Sequence, residues 1–135
     1  MTYTAAKVGE MIGADPATIR DWRRHGHLPF VEAPRPEGQH PTFSLDQVLK
    51  LAVMVDLGAL GLAPSDTAPL AARAPAVEQI DRLDAELWVG AFTHAQSGAT
   101  PFIGRLDQMP TDGSVVAMQV VNATAALSRV RAADG

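Results

Sequence analysis

The residues best suited to chemistry in this sequence are cationic and lie in one short segment, residues 15–29, which reads DPATIRDWRRHGHLP. Its basic side chains are Arg20, Arg23, Arg24, His25 and His27. The positive charge is local, because the whole chain has a formal net charge of -4. From the residues alone, the favoured interpretation is a solvated helix face on which the arginines form ion pairs with acidic neighbours. The alternative is a phosphate-bearing partner, because guanidinium groups match the geometry of phosphate oxygens.

Other chemistries find little support. The chain has no cysteine, which excludes disulfides, thiolate metal sites and cysteine nucleophiles. His25 and His27 do not share a helix face and have no third ligand nearby, while the cluster of Asp81, Asp84 and Glu86 is typical of a solvated helix face. No nucleophile has a base and an orienting group beside it, and no glycine-rich phosphate loop occurs. We therefore predict no enzyme activity, no cofactor and no metal site.

Composition indicates a globular chain. With 135 residues, 47% of them hydrophobic and 19% charged, the chain can form one domain, or a small domain with an appendage. The N-terminus has no apolar signal core, and no apolar run reaches membrane-spanning length. We expect a cytoplasmic protein without a membrane partner, and the residues identify no small-molecule effector.

Two short helices are predicted to hold the basic segment. The apolar residues of the first recur at helical spacing, and Gly13 ends it. They are Ala5, Val8, Met11 and Ile12. The second has Asp15 as its N-cap and Pro16 as its first helical residue. It should bury Ile19 and Trp22, turn its arginines outward and end at Gly26.

The following segments predict a hairpin and a third helix. Four prolines and a glycine in residues 29–41 exclude a helix there, which favours a short strand, a tip at residues 36–38 and a return strand. Ser44 and Gln47 have the spacing of a capping box, with Gly58 as the C-cap.

The C-terminal half predicts a small sheet. An Ala- and Pro-rich stretch has a short helix starting near Ser65, in which Pro69 lies uncomfortably far inside. A further helix covers part of residues 77–87, with an ambiguous end. ELWVGAFT, PFIGRL and SVVAMQVV then predict three strands, followed by a closing helix capped by Asn122. The predicted fold class is therefore α+β, with helix, turn, helix, hairpin and helix in the N-terminal half, then a three-stranded antiparallel sheet and a closing helix.

Residues 3 to about 62 resemble the winged helix-turn-helix DNA-binding domain of the MerR family. The matching motifs are YTAAKVGEMIGADPATIRDWRRHGHLP, a proline-rich wing and FSLDQVLKLAVMVDLGALGL. The family's recognition element typically reads Ser-Pro-x-Thr-Leu-Arg-Tyr-Tyr-Glu-Arg-x-Gly-Leu-Leu-Pro. The corresponding positions here hold Asp15, Pro16, Thr18, Ile19, Arg20, Arg24, Gly26, Leu28 and Pro29.

The resemblance implies binding of double-stranded DNA and a set of contact residues. Ala17 and Thr18, at the start of the second helix, would read base edges, while Arg20, Arg23 and Arg24 would hold phosphates. The remaining expected contacts lie beyond that helix: His27 near a phosphate, and Arg35 and His40 of the wing in the minor groove. For the wing, a plain exposed polar hairpin is an equal alternative.

The sequence also departs from the family's pattern. Asp21 replaces the first tyrosine, and Pro41 and Thr42 stand where the wing usually carries two arginines. Arg23, where the family often has Glu, adds a positive charge. The family's long dimerising helix has no counterpart, because the helical segment at residues 76–87 is too short. Metal- or drug-sensing is therefore not carried over.

The sequence divides into three predicted segments, and three hypotheses on its function follow. The segments are residues 1–62, the winged helix-turn-helix; 63–85, a connector with a short helix; and 86–135, a β-rich dimerisation or partner-binding segment. We favour a MerR-like transcriptional regulator that acts as a homodimer formed mainly by residues 86–132. One alternative is a phage-type excisionase or packaging small-subunit DNA binder; another is a protein-interaction module that no longer binds DNA.

Overall fold

A computed structural model describes residues 2–31, 42–111 and 113–134. The N-terminal half holds strand β1 (Thr2–Thr4), helices α1 (Ala5–Ile12) and α2 (Pro16–Arg24), strand β2 (Thr42–Ser44) and helix α3 (Leu45–Gly58). The remainder holds helices α4 (Pro64–Ala71) and α5 (Val77–Arg82), strands β3 (Trp88–His94) and β4 (Gly98–Gly104), a 3₁₀ turn (Leu106–Gln108), strand β5 (Val115–Asn122) and helix α6 (Ala123–Asp134). The α+β class, with a C-terminal three-stranded antiparallel sheet and a closing helix, is confirmed.

The turn between α1 and α2 is tight. Gly13 ends α1 in the left-handed conformation, as the sequence indicates. Gly9 faces the start of α2 so closely that an added Cβ would lie 2.6 Å from the carbonyl oxygen of Ala14 and 3.2 Å from the ring of Pro16. Only glycine therefore allows the two helices to approach this closely.

The helix starts follow the expected side-chain caps. The carboxylate of Asp15 accepts a hydrogen bond from the backbone N–H of Ala17 at 2.9 Å. Ser44 and Gln47 form both hydrogen bonds of the capping box. Asn122 accepts from the N–H of Ala125 at 2.9 Å and so caps α6. The predicted caps at Asp15, Ser44 and Asn122 are confirmed.

Only part of the predicted hairpin lies within the described residues. Residues 29–31 form a turn and a bend, while residues 32–41, including the tip, lie outside the described residues. The return strand appears as β2, but it pairs with β1, with Tyr3 opposite Phe43. β1 was not predicted, since three residues at the start of a chain carry no periodic signal.

One predicted boundary needs correction, and the structure defines two features that the sequence left open. Gly58 is the last residue of α3 rather than its cap, Ala59 is the cap, and Gly61 takes the left-handed conformation. Pro69 lies inside α4, where burial of Thr67, Ala68 and Ala71 offsets the lost backbone hydrogen bond. The ambiguous helix α5 ends at Arg82.

The C-terminal sheet has the strand order β4-β3-β5 and is antiparallel throughout. Its inner face contributes Val89 and Val121 to the hydrophobic core. At Gly90 an added Cβ would lie 2.0 Å from the carbonyl oxygen of Gln119, so β3 and β5 can pair at this point only through glycine.

Helix α6 returns from the sheet and packs against α1 and α3. Its buried residues are Ala123, Ala126, Leu127 and Val130, each at most 1% exposed. Polar links hold the same helix: Arg131 donates two hydrogen bonds of 2.7 Å to Asp81 of α5, and the hydroxyl of Tyr3 donates to Asp134 at 3.2 Å. One core therefore includes residues of both the N-terminal helices and the closing helix.

The contact at Gly9 gives a stability prediction. We expect Gly9→Ala to lower the free energy of unfolding by about 1–3 kcal/mol, because the extra carbon meets backbone and a rigid proline ring. Gly58→Ala is the matched control, since Gly58 is exposed at the end of a helix with open space around its Cα. It should raise stability by about 0.5 kcal/mol. Equal destabilisation of both variants in urea titrations would refute the tight-turn assignment.

The ion pair between Asp81 and Arg131 gives a pH prediction. The hydrogen bonds from Arg131 lower the pKa of Asp81 below its usual value. A carboxylate with a lowered folded-state pKa stabilises above its unfolded pKa, and loses that effect as the pH falls through the folded pKa. Asp81→Asn should therefore lower Tm by at most about 4 °C at pH 7, because both side chains are near half exposed.

The difference from the parent protein should shrink as the pH falls below about 4 and through the lowered folded-state pKa of Asp81. Glu78→Gln is the control, because its ion pair with Arg82 lies within one helix. A difference for Asp81→Asn that persists undiminished in acid would exclude the ion pair as its cause.

Candidate nucleic-acid interface

Helix α2 presents one apolar face and one solvated face. Ile19 is 1% exposed, and Trp22 is half-buried against the same core, as expected. The opposite face turns Ala17, Arg20 and Arg24 to solvent. An exposed second helix of a helix-turn-helix is the element that enters the major groove in proteins that use this motif.

Arg20 is the clearest cation on this face. It is exposed, and within the described part of the chain no hydrogen bond or ion pair engages it. The acidic partner considered for it, Glu10, lies 3.9 Å from the ammonium of Lys7 instead. The Arg20 guanidinium is therefore available to an external anion.

Arg24 is placed differently. Its guanidinium forms an ion pair with Asp21, three residues earlier on the same helix. His25 is fixed beside them by a contact of 2.8 Å between its Nδ1 and the backbone oxygen of Asp21. Asp21 therefore offsets one positive charge on the exposed face, which weakens the electrostatic attraction between this face and phosphates.

The other predicted contact residues lie around these arginines. Thr18 is half-buried in the first turn of α2, Arg23 is half-buried near its end, and His27 is half-buried just beyond it. The two wing residues, Arg35 and His40, lie outside the described residues. The structure thus brings six of the eight predicted residues together on one helix and the turn that follows.

The sequence predicts Gln47 only as part of a helix cap. Its Nε2 also donates a hydrogen bond of 3.1 Å to the backbone oxygen of Phe30. Gln47 thereby ties the start of α3 to the chain leaving α2, and Leu28, which is buried, anchors the same stretch. No sequence signal reveals this contact, because its partners are 17 residues apart and one of them is a backbone atom.

A sequence profile described as the MerR HTH family of regulatory proteins matches residues 3–71, just over half of the chain. The chain belongs to the MerR family. A comparison with curated proteins gave no match. Regulators of the MerR family are DNA-binding and normally not enzymes, which agrees with the exposed basic helix described above.

Two further observations concern the described residues alone. Across residues 2–31, 42–111 and 113–134, no three side chains of the metal-ligating types come together as a metal site would require. No helix in those ranges is long and apolar enough to cross a membrane.

The ion pair of Asp21 generates a prediction on this MerR-family helix. Asp21→Asn removes a negative charge from the exposed face and releases Arg24. We expect affinity for duplex DNA at low salt to rise about threefold to tenfold, and the slope of log K against log salt to steepen by about 1. Fluorescence anisotropy with a labelled mixed-sequence duplex measures both.

Asp66→Asn is the matched control, because it removes the same charge from an exposed position on α4. Equal gains for the two variants would show that net charge, rather than release of Arg24, is responsible.

Proposed function

We propose that this chain is a transcriptional regulator of the MerR type, which binds double-stranded DNA through α2 and acts as a homodimer. The observation that carries the proposal is the exposed, unengaged guanidinium of Arg20 on the second helix of a MerR-family helix-turn-helix. The rest of the chain is acidic, so attraction to phosphate is confined to this face.

Position on the helix separates the proposed roles. Ala17 and Thr18 occupy the first turn of α2, the part of a recognition helix that approaches base edges. Arg20 and Arg24 lie further along the exposed face, and their long side chains suit phosphates on the flanking backbone. Arg23 and His27 complete the set at the end of the helix.

A homodimer is part of the proposal because one winged helix covers little DNA. A short contact limits both affinity and specificity, and a two-fold dimer matches two half-sites about one helical turn apart, or a multiple of it. The long dimerising helix of the family is replaced here by the small sheet of β3, β4 and β5. We assign dimerisation to residues 86–132.

One observation favours a different function. The ion pair between Arg24 and Asp21 lowers the positive charge of α2, as expected for a protein-interaction module that has lost DNA binding. The two proposals differ in a single result: a module of that kind shows no salt-dependent affinity for duplex DNA.

The test compares arginine and threonine variants on several duplex sequences. Arg20→Ala should weaken binding to all of them similarly and reduce the salt slope by about 1. Arg24→Ala should have a smaller effect, because its guanidinium is already paired with Asp21. Thr18→Ala should instead change the order of preference among sequences.

Arg73→Ala serves as the control, since Arg73 is exposed just after α4 and away from α2. Affinity and salt slope that are unchanged in both α2 arginine variants would overturn the DNA-binding proposal.

A further inference from the structure

The closing helix cannot supply a dimer interface from its leucine and valine. Leu127 and Val130 are each 1% exposed and pack within the chain, where α6 meets α1 and α3, and the only apolar residues that α6 leaves exposed are the alanines Ala132 and Ala133. Of the apolar C-terminal elements, the three-stranded sheet is the one that remains open to a partner.

The outer face of this sheet is apolar and uncharged. We use "outer face" for Trp88, Phe92, Phe102, Met118 and Val120, which lie opposite or diagonal to one another across the strands, on the face away from Val89 and Val121. Phe92 and Phe102 meet edge to face at 6.4 Å between ring centroids. None of the residues in β3, β4 and β5 is Asp, Glu, Lys or Arg.

The two edges of the sheet differ in composition. β4 contains Pro101, which has no backbone N–H to donate and therefore disfavours pairing of this edge with another strand. β5 reads VVAMQVVN and contains no proline, glycine or charge. Its one irregularity is a bulge opposite Thr93 and His94, at the start of the strand, so the regular part of its outer edge lacks the usual devices that prevent pairing.

Exposure points to the same edge. Val116, Ala117 and Met118 are exposed in succession, with Val116 at 63% and Met118 at 41%. Val116 is the extra residue of the bulge, whereas Ala117 and Met118 are in regular register and point to opposite faces. Exposure of both means that this half of β5 stands clear of the protein on both sides. Among the described residues, β5 pairs only with β3.

We propose that two copies of this chain pair through antiparallel β5 edges and form a continuous six-stranded sheet. The chemistry of the edge favours a second copy over a nucleic acid or an anionic membrane, because the three strands offer no cation to either. Two identical neutral edges also meet without the like-charge repulsion expected elsewhere on a chain of net charge -4. This inference deepens the proposed dimeric regulator, although the pairing itself does not require DNA.

Two-fold symmetry restricts which residue of β5 can lie at the centre of the pairing. Residues directly opposite each other in an antiparallel pair lie on the same face of the sheet, and an isologous interface repeats every contact in both directions. One residue of β5 must therefore face its own copy. The regular part of the strand beyond the bulge places it within residues 117–120.

The expected dimer is weak in isolation. Pairing of one short strand buries less surface than the 1,200–2,000 Å² or so of a standard interface. The dimer should therefore dissociate on dilution, and DNA with two half-sites should stabilise it by binding the paired form preferentially.

A single-cysteine scan tests the pairing directly, since the chain has no cysteine of its own. Cysteine is placed at each residue from 116 to 120, and at Thr100 of β4 as the edge control. Under mild oxidation without DNA, one position should form the disulfide-linked dimer much faster than its neighbours, because a disulfide requires Cα atoms about 4.4–6.8 Å apart. Equal slow rates at all positions, or faster linkage at Thr100, would overturn the proposal.

A charge variant provides a second readout without cysteine. Met118→Lys places like charges near the two-fold axis and should raise the dissociation constant of the dimer about fivefold or more in sedimentation velocity. Ile103→Lys is the control, at 45% exposure against 41% for Met118 and on β4 rather than β5. Equal effects of the two variants, or a parent chain that stays monomeric over the whole concentration range, would overturn the β5 pairing.

The two proposals fail independently. A monomeric parent chain that still binds duplex DNA with an Arg20-dependent salt slope would reject β5 pairing and leave the DNA proposal standing. A β5-linked dimer without affinity for DNA would reject the DNA proposal and leave β5 pairing standing.

Discussion

The packing of α6 against α1 and α3 is the contact on which the other features depend. The apolar side of α6 is built largely from small residues, Ala123 and Ala126 with Leu127 and Val130. Burial of that side places the end of the chain beside its beginning, where Tyr3 bonds to Asp134. The sheet that precedes α6 is thereby held with one face on the core, while its other face and the β5 edge point away from it.

The same core fixes the exposed basic helix. Ile19 anchors α2 from the inside, Gly9 lets α1 approach it, and Gln47 ties the chain that leaves it to the start of α3. The positive charge that α2 presents to solvent then depends on whether each of its exposed arginines has an acidic partner. Arg20 has no acidic partner in the described part of the chain, whereas Arg24 has one in Asp21.

Local chemistry made much of this fold predictable. The caps at Asp15, Ser44 and Asn122 need only residues two or three positions away, so the sequence alone indicates them. The element types of the C-terminal half follow from alternation and turn residues in the same way.

The sequence predicts the structure less well where contacts between residues far apart in the chain determine it. β1 exists only because Phe43 lies opposite Tyr3, and α4 continues through Pro69 because its buried side packs well. In the candidate site, the spacing of Asp21 and Arg24 made their ion pair foreseeable. The contact of Gln47 with Phe30 was not, because it joins side chain to backbone across the fold.

Selection from a library of randomised duplexes tests the central claim most directly, because it asks for DNA reading and two-fold pairing at once. The full chain is incubated with the library at low salt, and bound duplexes are amplified and sequenced over several rounds. We expect inverted repeats whose half-sites are centred one helical turn apart, or a multiple of it. A bound pool that stays random through successive rounds would contradict a symmetric, sequence-reading dimer.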